Sequence, residues 1–488
     1  MCLRLLPSVV LAFALPLAAN AATFSVTNTA DSGAGSLRQA LIDANADVTT
    51  LPVIRFDPSF PSGGVIALQS SLPAWSNGSL RIDGNGRSPV IDGGNSFRIL
   101  AMAAGTSNLE VVNLGFRRGR STAGVGGCLW LTSSSPNTSL YLDDTHFENC
   151  RAISNGADAY GGAIAWSSSG SWVYIRNSTF SGNGAGVIGS SSRKEMFGGA
   201  ALINAGSIEI ENSHFSDNAV ERVGGLVQGV AGALYASAST SVQLINVEFH
   251  SNRVIDASAN GLLSAGGAAA LLCRENNCTI SVNKAAFIDN SISGSDIGGG
   301  ALVSQGGSVS LFNVSFSGNR ASGGAGGALF ALPPGELSAR HLSFKDNDAS
   351  LGAHLAMSGM IVSQWRWSLH GPTAAGSGPA CHFQESLLQD GFSANLFESP
   401  CGALSDTGGT IGPVGPLALD ESTFPAVLVP GVGSPAIDPA LSQLHCLPFD
   451  ALDTSRPQDG DGDGIARCDI GAYEVLDSKI FTDGFEQP

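Results

Sequence analysis

Basic residues are scarce in this chain of 488 residues. Lys and Arg number 24 against 41 Asp and Glu, which gives a formal net charge of −17 at pH 7. A surface with this excess of negative charge repels nucleic acid and anionic lipid. We therefore expect no nucleic-acid partner, and we expect divalent cations to accompany the protein.

Long apolar runs are also missing, apart from one near the start. Arg4 precedes an apolar run from Val9 to Leu17, and Ala19-Asn20-Ala21 follows as a small-x-small cleavage site. Such a run is too short to span a bilayer but is typical of a secretory signal. The sequence therefore predicts a signal peptide over residues 1–21, no transmembrane segment, and a secreted protein that is extracellular or on the outer cell surface.

The Cys-x-x-Cys spacing of zinc ribbons and dithiol redox sites does not occur among the nine cysteines. Removal of the predicted signal would leave eight, an even number that suits disulfides in an oxidising compartment. Connectivity does not follow from sequence, but proximity along the chain favours four pairs. These are Cys128–Cys150, Cys273–Cys278, Cys381–Cys401 and Cys446–Cys468.

An eleven-residue pattern, apolar-x-apolar-x-Asn-x-x-Phe-x-x-Asn, occurs eight times through the middle of the chain. One copy contains Val173, Ile175, Asn177, Phe180 and Asn183. The Phe positions of the eight copies are Phe116, Phe147, Phe180, Phe215, Phe249, Phe287, Phe316 and Phe344. Asp144, Lys284 and His341 replace the first Asn, Gly119 and Cys150 replace the second, and Gly-Gly-Ala corners such as Gly199 accompany most copies.

This repeat predicts an all-β fold, a right-handed parallel β-helix, because each unit is too small to bury its own apolar face. The alternating half is a strand with one buried side, and the repeated Phe is expected to stack inward from coil to coil. Asn tolerates left-handed backbone at corners and can form an amide ladder between coils. Residues 22–59 are expected to form an N-terminal cap of strand and helix, and residues 60–370 the β-helix.

Two parts of the sequence resemble known secreted bacterial proteins. The Gly-Gly-Ala and Phe-x-x-Asn repeats over roughly residues 105–355 are similar to those of polymorphic outer-membrane proteins. The segments Ser434–Asp438, Arg456-Pro457 and Cys468–Glu474 resemble the C-terminal region of the choice-of-anchor Q family. This resemblance implies a disulfide-containing C-terminal region over residues 371–474, with a sorting or anchoring tail over residues 475–488.

The best candidate metal site is Asp459-Gly460-Asp461-Gly462-Asp463-Gly464. Carboxylates at alternate positions match the first half of a calcium loop, and Asp469 lies near the position of a closing ligand. A structural calcium site is therefore expected here, and the alternative is a solvated acidic turn.

Tyr141 and Tyr174 share an outward position of the repeat, near the loops that follow Trp130 and Trp166, and could bind sugar rings. The alternative is a stacked pair that stabilises the sheet. The repeat register also places Arg176 between Asp143 and Glu211, as expected for surface ion pairs. Likewise, it places His146 and His214 on either side of Thr179, too far apart to share a zinc ion.

No catalytic residues can be named, because the motifs of pectin-type hydrolases are missing apart from Asp143-Asp144. We expect adhesion or binding of a polysaccharide or other cell-surface ligand. The alternatives are a polysaccharide lyase or hydrolase, and a structural spacer. A cluster of acids with one Arg or Lys in a groove would favour the enzyme, whereas a uniformly polar face would favour binding.

Overall fold

The structure is a computed structural model that describes most of the chain. The described residues are 22–47, 52–103, 108–132, 138–188, 194–223, 227–257, 266–294, 298–389 and 391–476. The predicted signal peptide, residues 1–21, and residues 477–488 of the expected tail lie outside the described residues.

Parallel strands wind into a β-solenoid of about 11 turns, which confirms the fold expected from the repeat. Each coil contributes a short strand after the glycine corner, a long strand that carries the eleven-residue pattern (here called the repeat strand), and a third strand before the next corner. The repeat strands and their equivalents are Thr23–Val26, Val53–Phe56, Leu80–Asp83, Asn108–Arg117, Ser139–Glu148, Trp172–Arg176 with Thr179–Ser181, Ala201–Ser216, Leu234–His250, Thr279–Ile288, Ser308–Ser317, Glu336–Lys345, Ile361–Arg366 with Leu369–His370, Leu387–Leu388 with Phe392–Ser393 and Asn395–Phe397, and Gly409–Ile411.

The remaining strands complete each coil. Val65–Ala67 and Val90–Asp92 pair in register with the second half of Asn108–Arg117. Those after the glycine corner are Leu100–Met102, Leu129–Thr132, Ile164–Ser167, Ala269–Cys273, Leu302–Gln305, Leu329–Leu332, Leu355–Ser358 and Cys381–Gln384. A separate eight-stranded sheet contains Arg120–Ser121, Arg151–Asn155, Gly184–Ile188, Ala219–Val223, Arg253–Ala257, Ser291–Gly294, Arg320–Ala325 and Asp348–Leu351. A three-stranded sheet contains Ala159–Tyr160, Lys194–Phe197 and Val227–Val230.

The Phe positions stack as the repeat predicts. From Phe116 to Phe344, all eight rings are buried, and the centroids of successive rings lie 4.6–5.1 Å apart. The stack continues past the last Phe of the pattern, because the His370 ring lies 4.6 Å from Phe344 and 4.5 Å from Phe397. One column of aromatic rings therefore fills the core along the length of the repeats.

The two Asn positions have different roles. All eight residues in the first position have positive φ values of 46–56°, including Lys284 and His341, and the repeat strand bends there. Asn in the second position is buried and forms a ladder. In that ladder, the Nδ2 of Asn183 donates to the Oδ1 of Asn218 at 3.0 Å, and the same bond recurs through Asn347. The first position thus turns the chain, and the second links the coils.

Glycine is required at the other corner by the closeness of successive coils. A Cβ on Gly199 would lie 1.9 Å from the carbonyl oxygen of Gly232, and one on Gly267 would lie 1.9 Å from that of Gly300. No side chain fits within that distance, so any larger residue would push two coils apart.

A short helix covers the N-terminal end of the solenoid. It spans Leu37–Ala46, and the Oγ of Ser36 caps it by accepting from the backbone N–H of Gln39 at 3.2 Å. The helix buries Leu37, Ala40, Leu41 and Ala44, the face that sequence periodicity predicts. The helix packs against the strands Thr23–Val26 and Val53–Phe56 and covers apolar surface at this end of the solenoid.

The C-terminal region does not extend beyond the last coil but folds back along the solenoid. Parallel pairing first continues past residue 370, through Cys381–Gln384 to Gly409–Ile411, followed by an antiparallel pair, Leu417–Asp420 and Val427–Pro430. A second short helix, Ala403–Gly408, lies between these parts. The backbone N–H of Ala426 then donates to the Oε2 of Glu248 at 3.1 Å, and that of Ala472 to the Oγ of Ser343 at 2.9 Å.

Candidate functional site

The outward side of the first half of the repeat strands forms a continuous surface, here called the front face. Its register places Glu110, Tyr141, Tyr174, Glu209 and Gln243 in one column. Because all strands are parallel and in register, side chains in a column lie one strand spacing apart, about 4.8 Å. The front face therefore brings together residues that are more than thirty positions apart in sequence.

An exposed aromatic pair lies on the front face. Tyr141 and Tyr174 are register partners, as expected, but the ring that lies parallel to Tyr174 belongs to Trp172. Their centroids are 6.2 Å apart with an interplanar angle of 9°, and Trp172 is 54% exposed. Tyr141 directs its hydroxyl to the Oδ2 of Asp143 at 3.2 Å. Trp172 was missed by the sequence analysis, although its place two residues before Tyr174 puts both side chains on the same side of a strand.

The two tryptophans expected near this surface have different positions. Trp166 is fully buried, and its Nε1 donates to the Oγ of Ser171 at 3.3 Å. Its register partners Leu131 and Ile203 point into the core, so the expectation that Trp166 binds sugar is wrong. Trp130 is partly exposed, and the guanidinium of Arg98 lies 5.0 Å from its ring centroid. Strand alternation places Trp130 outward and Trp166 inward.

Charged side chains flank the aromatic pair. Arg176 lies between Asp143 and Glu211 in register, as expected, and its Nε is 3.2 Å from the Oε2 of Glu211. Glu209 is two residues before Glu211 on the same side of the strand. Burial and the neighbouring Glu211 carboxyl raise the pKa of Glu209. Glu209 is thus better able than an ordinary carboxyl to hold a proton.

This arrangement is chemically capable of acid and base steps, but its surroundings are open. The groove lined by Trp172, Tyr174 and Glu209 has a volume of only about 30 Å³. Enzymes that bind a saccharide for cleavage usually enclose the reacting bond and exclude water from it. The front face therefore meets the chemical part of the criterion for an enzyme, a cluster of acids with one Arg, but the groove that the described residues form at this place is shallow.

The acidic loop provides a second cluster. One carboxylate oxygen each of Asp438, Asp459 and Asp461 lies within 4.8 Å of the others. The Oδ1 of Asp459 is buried and has no hydrogen-bond partner, and Asp438 accepts from the backbone N–H groups of Asp461 at 2.8 Å and Arg467 at 2.9 Å. Three carboxylates with free lone pairs are suitable oxygen ligands for Ca²⁺. The residues present thus fit a calcium ion.

Two of the four expected calcium ligands lie outside this cluster. Asp463 forms an ion pair with Arg467, with 3.0 Å between the Oδ2 and Nη1 atoms. Asp469 is buried and accepts from the backbone N–H groups of Asp438 at 2.8 Å and Val475 at 2.7 Å. Burial raises the pKa of Asp469 to about 8. The carboxylates that come together are therefore those of Asp438, Asp459 and Asp461, because the chain folds the Ser434–Asp438 segment beside the loop.

The three C-terminal segments noted in the sequence meet in one buried network. The Nε of Arg456 lies 3.0 Å from the Oε2 of Glu474, and both side chains are fully buried. Glu474 also accepts from the backbone N–H of Asp469 at 3.0 Å, and its own N–H donates to the Oδ2 of Asp450 at 3.0 Å. Burial raises the pKa of Glu474 to about 7. These contacts hold segments of the C-terminal region to one another.

All eight cysteines of the described chain form disulfides in the four pairs that proximity favoured. Two clusters of side chains, His341 with Cys446 and Cys468 and His370 with Cys381 and Cys401, have a metal-like arrangement. Their cysteines are bonded to each other, so they supply no thiolate and these clusters are not zinc sites. The expected separation of His146 and His214 by Thr179 is confirmed by the register.

Comparison with known proteins identifies no family for this chain. No protein-family model matches the sequence, and no curated protein matches it. Within the described residues, no helix is long and apolar enough to cross a membrane.

Proposed function

We propose that this protein binds polysaccharide through its front face, acting from a secreted or cell-surface location. The observation that carries the proposal is the nearly parallel ring pair of exposed Trp172 and half-buried Tyr174 on a parallel sheet. A large aromatic side chain left 54% exposed loses the free energy of burial unless something covers it. Sugar rings present flat C–H faces and ring-edge hydroxyls, which suit aromatic rings beside carboxylates and a guanidinium.

Truncation of the aromatic pair tests this proposal. We expect Trp172→Ala and Tyr174→Ala each to weaken binding to the polysaccharide that the wild-type protein retains, by about tenfold or more. Leu351→Ala is the matched control, since Leu351 is 45% exposed on the eight-stranded sheet, away from the front face. Affinity electrophoresis against neutral and acidic polysaccharides would measure the effect. Equal retention of the wild type and both aromatic variants would refute the front-face assignment.

A polysaccharide lyase or hydrolase is the second candidate, and the raised pKa of Glu209 beside Glu211 favours it. In such an enzyme, a protonated Glu209 would donate to the leaving oxygen while a second carboxylate acts as base or nucleophile. Catalysis would be established if the wild type releases unsaturated or reducing ends and Glu209→Gln does not. Glu221→Gln is the matched control, because Glu221 pairs with Arg253 on the eight-stranded sheet. If no product forms from a retained polysaccharide, the binding role stands, and if nothing is retained, the spacer role stands.

We also propose that calcium binds at Asp438, Asp459 and Asp461 and has a structural role. The support is the buried, unpartnered Oδ1 of Asp459 among three carboxylates. Calcium should raise the melting temperature of the wild type, and Asp459→Asn should reduce that rise. Asp453→Asn is a suitable control, because Asp453 is exposed and pairs with Lys284 instead. An equal calcium effect in both variants would exclude this site.

The resemblance to polymorphic outer-membrane protein repeats and to the choice-of-anchor Q family remains a proposal about ancestry. Its support is that the three C-terminal segments that carry the second resemblance contact each other in one network, as parts of a single module would. In the same way, the predicted signal over residues 1–21 and the four disulfides support export to an oxidising compartment.

A further inference from the structure

A second opening lies between the last coils and the folded-back C-terminal region. Its volume is about 480 Å³, within the range of roughly 300–1,000 Å³ that small-molecule sites occupy. Arg366, Phe392 and Ser393 line it from the solenoid, and Leu444 and His445 from the C-terminal region. We call this opening the arginine cleft.

Arg366 lines the arginine cleft, and the guanidinium group of Arg340 belongs to the coil next to it. Arg340 and Arg366 are register partners on successive coils, so their Cα atoms are about 4.8 Å apart. Arg340 donates to the Oε1 of Gln364, and the Nε of Arg366 donates to the carbonyl oxygen of Gly391 at 2.7 Å. These neutral partners hold both side chains in place and leave their charges uncompensated.

The positive charge is unusual in its surroundings. Among the described residues, neither Arg340 nor Arg366 forms an ion pair with a carboxylate, whereas Arg176 in the same column pairs with Glu211. Burial and Arg366 lower the pKa of Arg340, and burial with both arginines lowers the pKa of His445. In a chain with a net charge of −17, two adjacent cations beside a cavity mark a place where an anion would be attracted.

The walls of the cleft restrict the kind of anion. Phe392 is partly exposed, and Leu444 is 67% exposed, so apolar surface faces the same space as the guanidinium groups. A small inorganic anion would leave that apolar surface in water. A sugar ring that bears a carboxylate would place its C–H face on Phe392 and Leu444 and its charge on the arginines.

We propose that the arginine cleft binds the carboxylate of a uronate residue in an acidic polysaccharide. This inference rests on the proposed function and narrows its ligand to acidic chains. Arg176 and Arg366 are six strand steps apart in one column, about 30 Å, on the same front face. An extended chain on the aromatic pair can therefore reach the cleft along the solenoid axis.

A uronic acid monosaccharide tests the cleft separately from the aromatic pair. In titration calorimetry of the mature protein, we expect galacturonate to bind at least tenfold more tightly than galactose. Arg366→Gln should weaken galacturonate binding by about tenfold or more, because it removes a charge-assisted contact at the wall of the cleft. Arg340→Gln should weaken it less, because Arg340 does not line the cleft and acts only through its neighbouring charge. Arg320→Gln is the matched control, since Arg320 pairs with Asp348 on the eight-stranded sheet.

A further variant and a competing anion distinguish the proposed contact from loss of folding and from general anion binding. If Arg366→Gln lowers the melting temperature, His445→Asn replaces it, because His445 is exposed and Asn tolerates its φ of 73°. Equal binding of galactose and galacturonate, or an unchanged affinity in the arginine variants, overturns the inference. If sulfate binds at the same site as tightly as galacturonate, the cleft is a general anion site and the sugar assignment is overturned. If the protein binds galacturonate as expected but Trp172→Ala does not change retention of the polymer, the proposed function is overturned and the cleft assignment stands.

Discussion

The Asn ladder offers the sharpest test of how this solenoid is stabilised, and Asn218 lies in its middle. The Nδ2 of Asn218 donates to the carbonyl oxygen of Phe180 at 2.8 Å and to the Oδ1 of Asn252 at 2.9 Å. Its Oδ1 accepts from both the backbone N–H and the Nδ2 of Asn183, each at 3.0 Å. Asn218→Ala removes all four hydrogen bonds, and Asn218 is fully buried, so water does not replace them.

The magnitude follows from the groups left behind. The backbone N–H of Asn183 loses the side-chain oxygen that it donates to, and an unsatisfied buried donor costs about 1–3 kcal/mol. Loss of the bonds to Phe180 and Asn252 adds about 1 kcal/mol, because each oxygen keeps room for other partners. We therefore expect Asn218→Ala to lower the free energy of unfolding by about 2–4 kcal/mol.

Urea unfolding would measure the change, with Asn155→Ala as the matched control. Asn155 is exposed at the end of the strand Arg151–Asn155, so its truncation should change the free energy of unfolding by less than about 0.5 kcal/mol. Amide hydrogen exchange provides a local readout, since protection of the Asn183 N–H should fall in Asn218→Ala. Equal destabilisation by the two substitutions, or unchanged protection at Asn183, would show that the ladder does not link the coils energetically.

Two further predictions concern the disulfides and the buried acids. Replacing Cys128 and Cys150 by Ala should lower the free energy of unfolding by about 3 kcal/mol, and replacing Cys273 and Cys278 should lower it by about 2 kcal/mol. The difference follows from the closed loops, which span 22 and 5 residues. Thermal unfolding of the two variants would show this order. The folded pKa of Asp469 is raised to about 8, above roughly 3.9 in the unfolded chain, so its contribution to stability is present below pH 4 and is lost as pH rises towards 8. In the presence of a chelator, the free energy of unfolding should therefore fall from pH 5 to pH 8.5. Asp469→Asn should make this fall smaller. An unchanged pH profile in the variant would exclude Asp469 as the group responsible.

The repeat made much of the fold predictable, because each coil solves the same packing problem. Eight Phe in the same position predict a stack, and the stack is present from Phe116 to Phe344. The pattern fails where a different residue fills the position. His370 continues the aromatic column although it is not a Phe, so the eleven-residue pattern shows no regular copy there while the coils continue to Ile411.

The candidate sites were less predictable, since they depend on contacts between distant segments. The carboxylate cluster of the acidic loop includes Asp438, which lies 21 residues before Asp459 and is held there by hydrogen bonds with Asp461, Arg467 and Asp469. Trp166 was a candidate for sugar binding because of its neighbourhood in sequence, whereas its side chain lies in the core. The repeat determines the register between strands of successive coils, but it carries no information on how the C-terminal region folds.

The position of the C-terminal region decides which surface of the solenoid can bind a ligand. It covers the second halves of the repeat strands, where Glu248, Ser315 and Ser343 accept hydrogen bonds from its backbone N–H groups. The first halves, with Trp172 exposed, remain uncovered at the aromatic pair. A polysaccharide that spans several coils therefore has the front face available to it, and the same folded-back segment supplies one wall of the arginine cleft at the far end. The C-terminal region both covers the second halves of the repeat strands and completes the arginine cleft. We therefore expect loss of its buried Arg456–Glu474 network to weaken binding of acidic chains more than binding at Trp172.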